Sequence, residues 1–129
     1  MDYPSDLKYT STHEWIRVEG NKVVVGLTDF AQHELSDVVY VELPGVGDEV
    51  SADGACAVVE SVKSASDIYS PVSGTVARVN EGVNNAPDIV NKDPYGEGWL
   101  FEVELSDPSE LEKLMDVGAY RKQVESEKV

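Results

Sequence analysis

The chain has 129 residues, 41% of them hydrophobic and 27% charged, proportions that suit one globular domain with one core. Lys and Arg total 10 against 25 Asp and Glu, a formal net charge of -15. A surface of that sign repels phosphate, so nucleic acid and anionic membrane are poor partners, while basic faces on other proteins are good ones.

The N-terminal stretch MDYPSDLKYTSTHEW has neither an apolar stretch nor an Arg-rich amphipathic pattern, so it reads as neither signal peptide nor transit peptide. No apolar run approaches the length of a membrane span. Glu14 to Val18 alternates, turns at Glu19-Gly20-Asn21 and returns as Lys22 to Leu27, a hairpin. Thr28 caps a short helix over Asp29 to Leu35. Val38 to Leu43 is a strand ended by Pro44-Gly45, and Glu49-Val50 leads into a turn at Ala52-Asp53-Gly54. Strands follow at Ala55 to Val62 and Ser66 to Ser70, with Lys63 between them, and then at Gly74 to Val79. Asn80 to Asp88 reads as a loop and Trp99 to Glu104 as the last strand. Asp107-Pro108-Ser109-Glu110 carries the cap, first-position proline and acid of a helix start, with Leu111, Leu114 and Met115 at helical spacing. Asp116 caps a second helix with Val117, Tyr120 and Val124 on one face. The expectation is a mainly β core over about residues 7–105, followed by C-terminal helices over about 107–127. A faint repeat, GDEVSADGACAVVESV and SGTVARVNEGVNNAPDIV, flanks Lys63 and hints at a pseudo-two-fold barrel.

The chemistry-bearing residues are few. The single cysteine, Cys56, excludes an intrachain disulfide, suits a reducing compartment and reads as a small buried hydrophobe rather than a reactive thiol. His13 and His33 are too isolated for a metal site. No phosphate-binding glycine loop or Ser-His-Asp arrangement is visible, so the polypeptide is not expected to be an enzyme. Trp15, Trp99, Phe30 and Phe101 read as packing, and Gly45, Gly47, Gly54 and Gly74 as turn positions.

Lys63 is the exception. It falls at a hairpin tip whose neighbours Ser61, Ser64, Ala65 and Ser66 are small, with Glu60 and Asp67 flanking it. The turn contains no Gly or Asn, which argues for a type I geometry open to most residues. Three readings compete. A solvated turn lysine is one. A Schiff-base lysine needs a lowered pKa, which flanking carboxylates oppose. A modification site needs an amine that stands clear of the fold, and a rigid hairpin with small neighbours supplies one.

ESVKSASDIYSPVSGTV, from Glu60, resembles the lipoyl attachment hairpin of the glycine cleavage system H proteins. HEW at His13 to Trp15, GLTDFAQHEL from Gly26, VVYVELPGVGDEV from Val38 and VNKDPYGEGWL from Val90 are similar to further blocks of that family, over roughly residues 7 to 125. Ser36 departs from the pattern, which more often has glycine before the aspartate. Biotinyl domains usually set their lysine between methionines, and Met1 and Met115 are far from Lys63. Lipoyl domains of 2-oxo acid dehydrogenases lack the DPYGEGWL block. The resemblance implies a flattened lipoyl/biotinyl-like barrel (a barrel-sandwich hybrid) with a short helix and C-terminal helices. It implies lipoic acid amide-linked to Lys63, with Glu60, Ser61, Val62 and Ser64 recognised by the attaching enzyme, a lipoyl/octanoyl transferase or lipoate ligase. The carrier would shuttle the aminomethyl group of glycine from a pyridoxal-phosphate glycine decarboxylase to an aminomethyltransferase, and electrons to dihydrolipoyl dehydrogenase. A cleft beside the hairpin would shelter the loaded arm, between Asp29 to Leu35 and Asp67 to Tyr69, with Glu14, His33 and Asp67 as its candidate polar partners. The expected protein is a cytoplasmic monomer, or a mitochondrial-matrix one if it is a trimmed eukaryotic form. The alternatives are a relay that donates lipoate to other lipoyl domains, and an unmodified acidic interaction module.

Overall fold

The computed structural model describes residues 1–127. In chain order it contains β1 (Lys8–Tyr9), β2 (Glu14–Glu19), β3 (Lys22–Leu27), α1 (Asp29–Leu35), β4 (Val38–Glu42), β5 (Glu49–Val50), β6 (Ala55–Ser61), β7 (Ala65–Tyr69) and β8 (Gly74–Val79). Then come α2 (Glu81–Asn85), α3 (Ile89–Lys92), β9 (Phe101–Leu105), a 3-10 helix (Pro108–Lys113) and α4 (Val117–Glu127). The strands form a six-stranded sheet, ordered β1-β2-β3-β9-β8-β5, and a three-stranded sheet, ordered β4-β6-β7. These are the two layers of an unclosed, flattened barrel, with helices added.

The core lies between the sheets. Val23, Val25 and Leu27 point inward from β3 and share an apolar cluster with Val41, Val59, Ile68 and Val103. The other face of β3 is covered too. Val24 joins a second cluster with Tyr3, Tyr9, Trp15, Phe30, Tyr120 and Val124. Burial on both faces explains why KVVVGL is an unbroken apolar run rather than an alternating one. Gly26 belongs here because a Cβ at that position would stand 2.6 Å from the Trp15 indole. The indole N–H donates to the Pro94 carbonyl at 2.9 Å, so the large ring is buried without an unpaired donor.

The hairpin of β2 and β3, the helix α1 with its Thr28 cap and the strand β8 lie where the sequence places them. Several expectations need correction. Asn80 to Asp88 is not a plain loop: Asn80 accepts from Gly82 N–H at 3.1 Å and starts α2, which buries Val83. The following turn carries α3, which buries Val90. The segment after Asp107 is a 3-10 helix and ends before Leu114. It ends there because Met115 exchanges two 2.8 Å backbone hydrogen bonds with Tyr9, which requires extended chain. The faint repeat is not a repeat of elements. Its first copy forms β5 and β6, whereas its second forms β8 and then helices. At the Ala52-Asp53-Gly54 turn, Asp53 takes the left-handed conformation, at φ 66°.

Candidate functional site

The tip of the β6–β7 hairpin presents Lys63. Ser61 N–H donates to the Ser64 carbonyl at 2.8 Å and closes the turn. The Ser61 hydroxyl reinforces it: Oγ accepts from Lys63 N–H at 3.2 Å and Ser64 N–H at 3.1 Å, and donates to the Ser64 carbonyl at 3.1 Å. Val62 and Lys63 both keep negative φ, so the turn accepts ordinary side chains. The tip is also tied to the body of the protein, since Val62 N–H donates to the Asp37 carbonyl at 3.0 Å. Val62, Lys63 and Ser64 are exposed, while Glu60 and Ser61 are half-buried. The Lys63 ammonium reaches the Glu34 carbonyl at the end of α1, at 3.1 Å. A cation is favourable there, because the last carbonyls of a helix carry partial negative charge.

Beside the hairpin lies a cleft of about 440 Å³, walled by α1 and β7. Phe30, Ala31, Glu34 and Leu35 line one side and Ser64 to Ile68 the other, with Thr12, His13 and Glu127 at the end. Asp67 is therefore in the cleft, on the expected wall. His33 is not among the lining residues. Helical spacing turns Phe30, Ala31 and Glu34 to the cleft and leaves His33 exposed elsewhere on α1. Glu14 does not line the cleft either; it is 1% exposed and sits behind the wall. Its Oε1 accepts from the hydroxyls of Thr10 at 2.5 Å and Thr12 at 2.6 Å, and its Oε2 accepts from Tyr69 N–H at 3.4 Å. Burial raises the Glu14 pKa above the ordinary glutamate value, against the lowering effect of those donors. Cys56 is half-buried, and its thiol is pushed up to about 12, first by burial and then by the Glu14 carboxylate. That fits an inert small hydrophobe, as the sequence suggested.

Sequence reasoning missed His13. Its Nδ1 lies 2.8 Å from the Tyr120 hydroxyl and its Nε2 lies 3.1 Å from a Glu127 carboxylate oxygen. Tyr120 in turn lies 2.7 Å from the Thr28 hydroxyl. The chain thus joins α4 to the α1 cap and to the end of the cleft. Its partners are more than 90 residues apart in sequence, so no local pattern could announce it. Among the described residues no group of His, Cys, Asp and Glu is arranged to hold a metal ion.

The geometry fits a long acyl arm on Lys63. The amine is exposed at a rigid tip, its ammonium makes no ion pair among the described residues, and a cleft opens beside it. Comparison with known proteins finds relatives along nearly the whole chain. A family model described as Glycine cleavage H-protein matches residues 7–127. A glycine cleavage system H protein from Carboxydothermus hydrogenoformans is 56% identical over 124 residues, covering 96% of this chain and 95% of the relative. One from Thermus thermophilus is 54% identical over 127 residues, covering 98% and 99%. A crystal structure of a glycine cleavage system H protein from Mycobacterium marinum superposes with a TM-score of 0.87 at 38% identity, covering 94% of this chain and 98% of that one.

Proposed function

The chain belongs to the glycine cleavage H-protein family, the lipoyl carriers of the glycine cleavage system, and we propose that Lys63 is the residue that carries the lipoyl group. The observation behind this reading is the position of the amine, which is exposed at a hairpin tip and next to the cleft. When attached, the lipoyl group would supply a dithiolane for aminomethyl and electron transfer among the system's decarboxylase, aminomethyltransferase and dihydrolipoyl dehydrogenase. The protein's own residues hold and position. Ser61 and Asp37 fix the tip, and the exposed anchoring nitrogen rests against the last turn of α1. Acylation removes the lysine charge and with it the ammonium hold on the Glu34 carbonyl, which frees the side chain to swing. Phe30, Ala31 and Leu35 offer an apolar wall that excludes water from a docked arm, and Asp67 offers an acceptor for an amine. Glu14 orders Thr10 and Thr12, the latter at the end of the cleft. His33, exposed on α1 away from this wall, has no part in the reading.

On this reading the polypeptide carries out no chemistry itself. It works as one domain in the cytoplasm, and its visits to the partner enzymes follow from the system to which the family belongs. No described helix is long and apolar enough to cross a membrane. Neither the relay nor the unmodified module is favoured by the comparisons. The test is the intact mass of protein expressed with lipoic acid and a lipoate ligase, beside Lys63→Arg. A gain of one lipoyl group, absent from the variant, is expected. No gain by the wild type, with the ligase active on another acceptor, would overturn the assignment.

A further inference from the structure

The outer face of the three-stranded sheet carries an apolar patch with an acidic border. A bulge in β4 creates it. Val38 pairs with Ser61 and Tyr40 with Glu60, so Val39 is an extra residue and alternation fails. Val38 and Val41 are buried, whereas Val39 and Tyr40 are consecutive, apolar and 55% and 51% exposed. The register adds a third member. Val62 N–H bonds the Asp37 carbonyl, which continues the Val38–Ser61 pairing by one residue and turns Val62 to the outer face beside the start of β4. It is 65% exposed. Three of the six large apolar side chains that the described surface exposes thus share one face, next to Lys63. Glu42 and Glu60 lie on the same face through their pairing with Val58 and Tyr40.

The patch is separate from the cleft. The sheet order is β4-β6-β7, and the cleft opens along β7 without using β4 or β6. An arm lying in the cleft therefore leaves the patch uncovered. Such a clustered, bordered patch marks a protein contact rather than a scatter of surface residues. We propose that the face made by Val39, Tyr40 and Val62 is the surface on which the enzyme that acylates Lys63 docks, through an apolar centre with a basic border. The inference rests on Lys63 being the acylated residue. That enzyme is singled out because it meets the carrier before any arm exists and must recognise the protein surface itself, beside the amine. The acidic border and the net charge of -15 supply the complement to its basic rim.

The test uses unmodified full-length carrier, purified lipoate ligase, ATP and lipoic acid, with kcat and KM measured for the carrier as substrate. The doubly substituted Val39→Ser, Tyr40→Ser carrier is expected to raise KM at least about ten-fold with kcat little changed, as for lost uniform binding. Glu42→Lys, an exposed change that leaves the core intact, is expected to raise KM by a smaller factor. Val18→Ser, an exposed apolar site on β2 in the other sheet, is expected to match the wild type. Urea midpoints of the variants, unchanged from wild type, separate docking from folding. Parity of the double variant and Glu42→Lys with wild type would overturn the docking surface, as would an equal loss in Val18→Ser. A wild type that is not acylated at all would overturn the Lys63 assignment, and the docking surface with it, so the two failures are distinguishable.

Discussion

Ser36 holds the most costly backbone near Lys63. At φ 66° and ψ -151° it occupies a region that essentially only glycine tolerates, which costs a residue with a Cβ on the order of 1–3 kcal/mol. The conformation persists because the surroundings dictate it. Ser36 N–H closes α1 by donating to the Gln32 and His33 carbonyls, and its own carbonyl accepts from Asn91. The sharp turn delivers Asp37, whose carbonyl anchors the Lys63 hairpin through Val62. Ser36→Gly should therefore stabilise the protein by about 1 kcal/mol, after allowing for glycine's larger entropy loss on folding. Urea unfolding measures this, and a destabilised variant would show that no strain is stored at Ser36. The departure from the family's usual glycine was visible in the sequence; the backbone angle that makes it matter is not. Lys63 shows the same division. Its small neighbours and flanking acids are readable, whereas its contact with the Glu34 carbonyl comes from a helix end 29 residues earlier.

At the scale of elements, the exposed edge of β4 has to be managed, because an unpaired strand edge invites pairing with another chain. Two asparagines cover it. Asn91 accepts from Val38 N–H at 2.9 Å and Asn84 donates to the Val41 carbonyl at 2.7 Å. Asn91 also donates to Gln32 and Ser36, so one side chain holds α1, β4 and α3 together. Asn91→Ala should leave the Val38 amide unpaired in a buried position, at a cost of about 1–3 kcal/mol. Equilibrium unfolding that shifts by less than about 0.5 kcal/mol would contradict that account. The elements that bear these asparagines are the ones the sequence obscured. α2 and α3 have five and four residues and bury one apolar side chain each, too little for a 3.6-residue period to register. α1 is also short, but Thr28 and the switch from alternating strand to DFAQHEL mark its start, and Thr28 does accept from Ala31 N–H at 3.2 Å. The β6–β7 hairpin was readable because a hairpin is a local structure.

For the whole molecule, the net charge of -15 acts against the compact state by self-repulsion. Few pairs relieve it. The described ion pairs are Arg78–Glu102 and Lys92–Asp88, both with largely exposed cations, while His13 and Glu127 share a hydrogen bond. Exposed pairs of this kind contribute little, so screening should help folding more than it harms these contacts. The melting temperature should rise as NaCl is increased from about 0.02 M to about 0.3 M, over which range the screening length falls to under about 10 Å. A flat or falling trend by calorimetry would mean that the acidic surface carries no repulsive cost.

The sequence by itself determined the strand-rich class, the capped helices α1 and α4, the hairpin bearing Lys63 and the family, because caps, turns, alternation and ordered blocks are written over short spans. Only the tertiary structure decided where the cleft lies, which of Glu14, His33 and Asp67 faces it, and that His13 links α4 to the Thr28 cap. It also decided that a bulge turns Val39 and Tyr40 outward together. Those features depend on registers and on contacts between distant elements. A one-residue shift in pairing reverses which side of a strand meets water, and nothing in a short stretch of sequence records the register it will adopt.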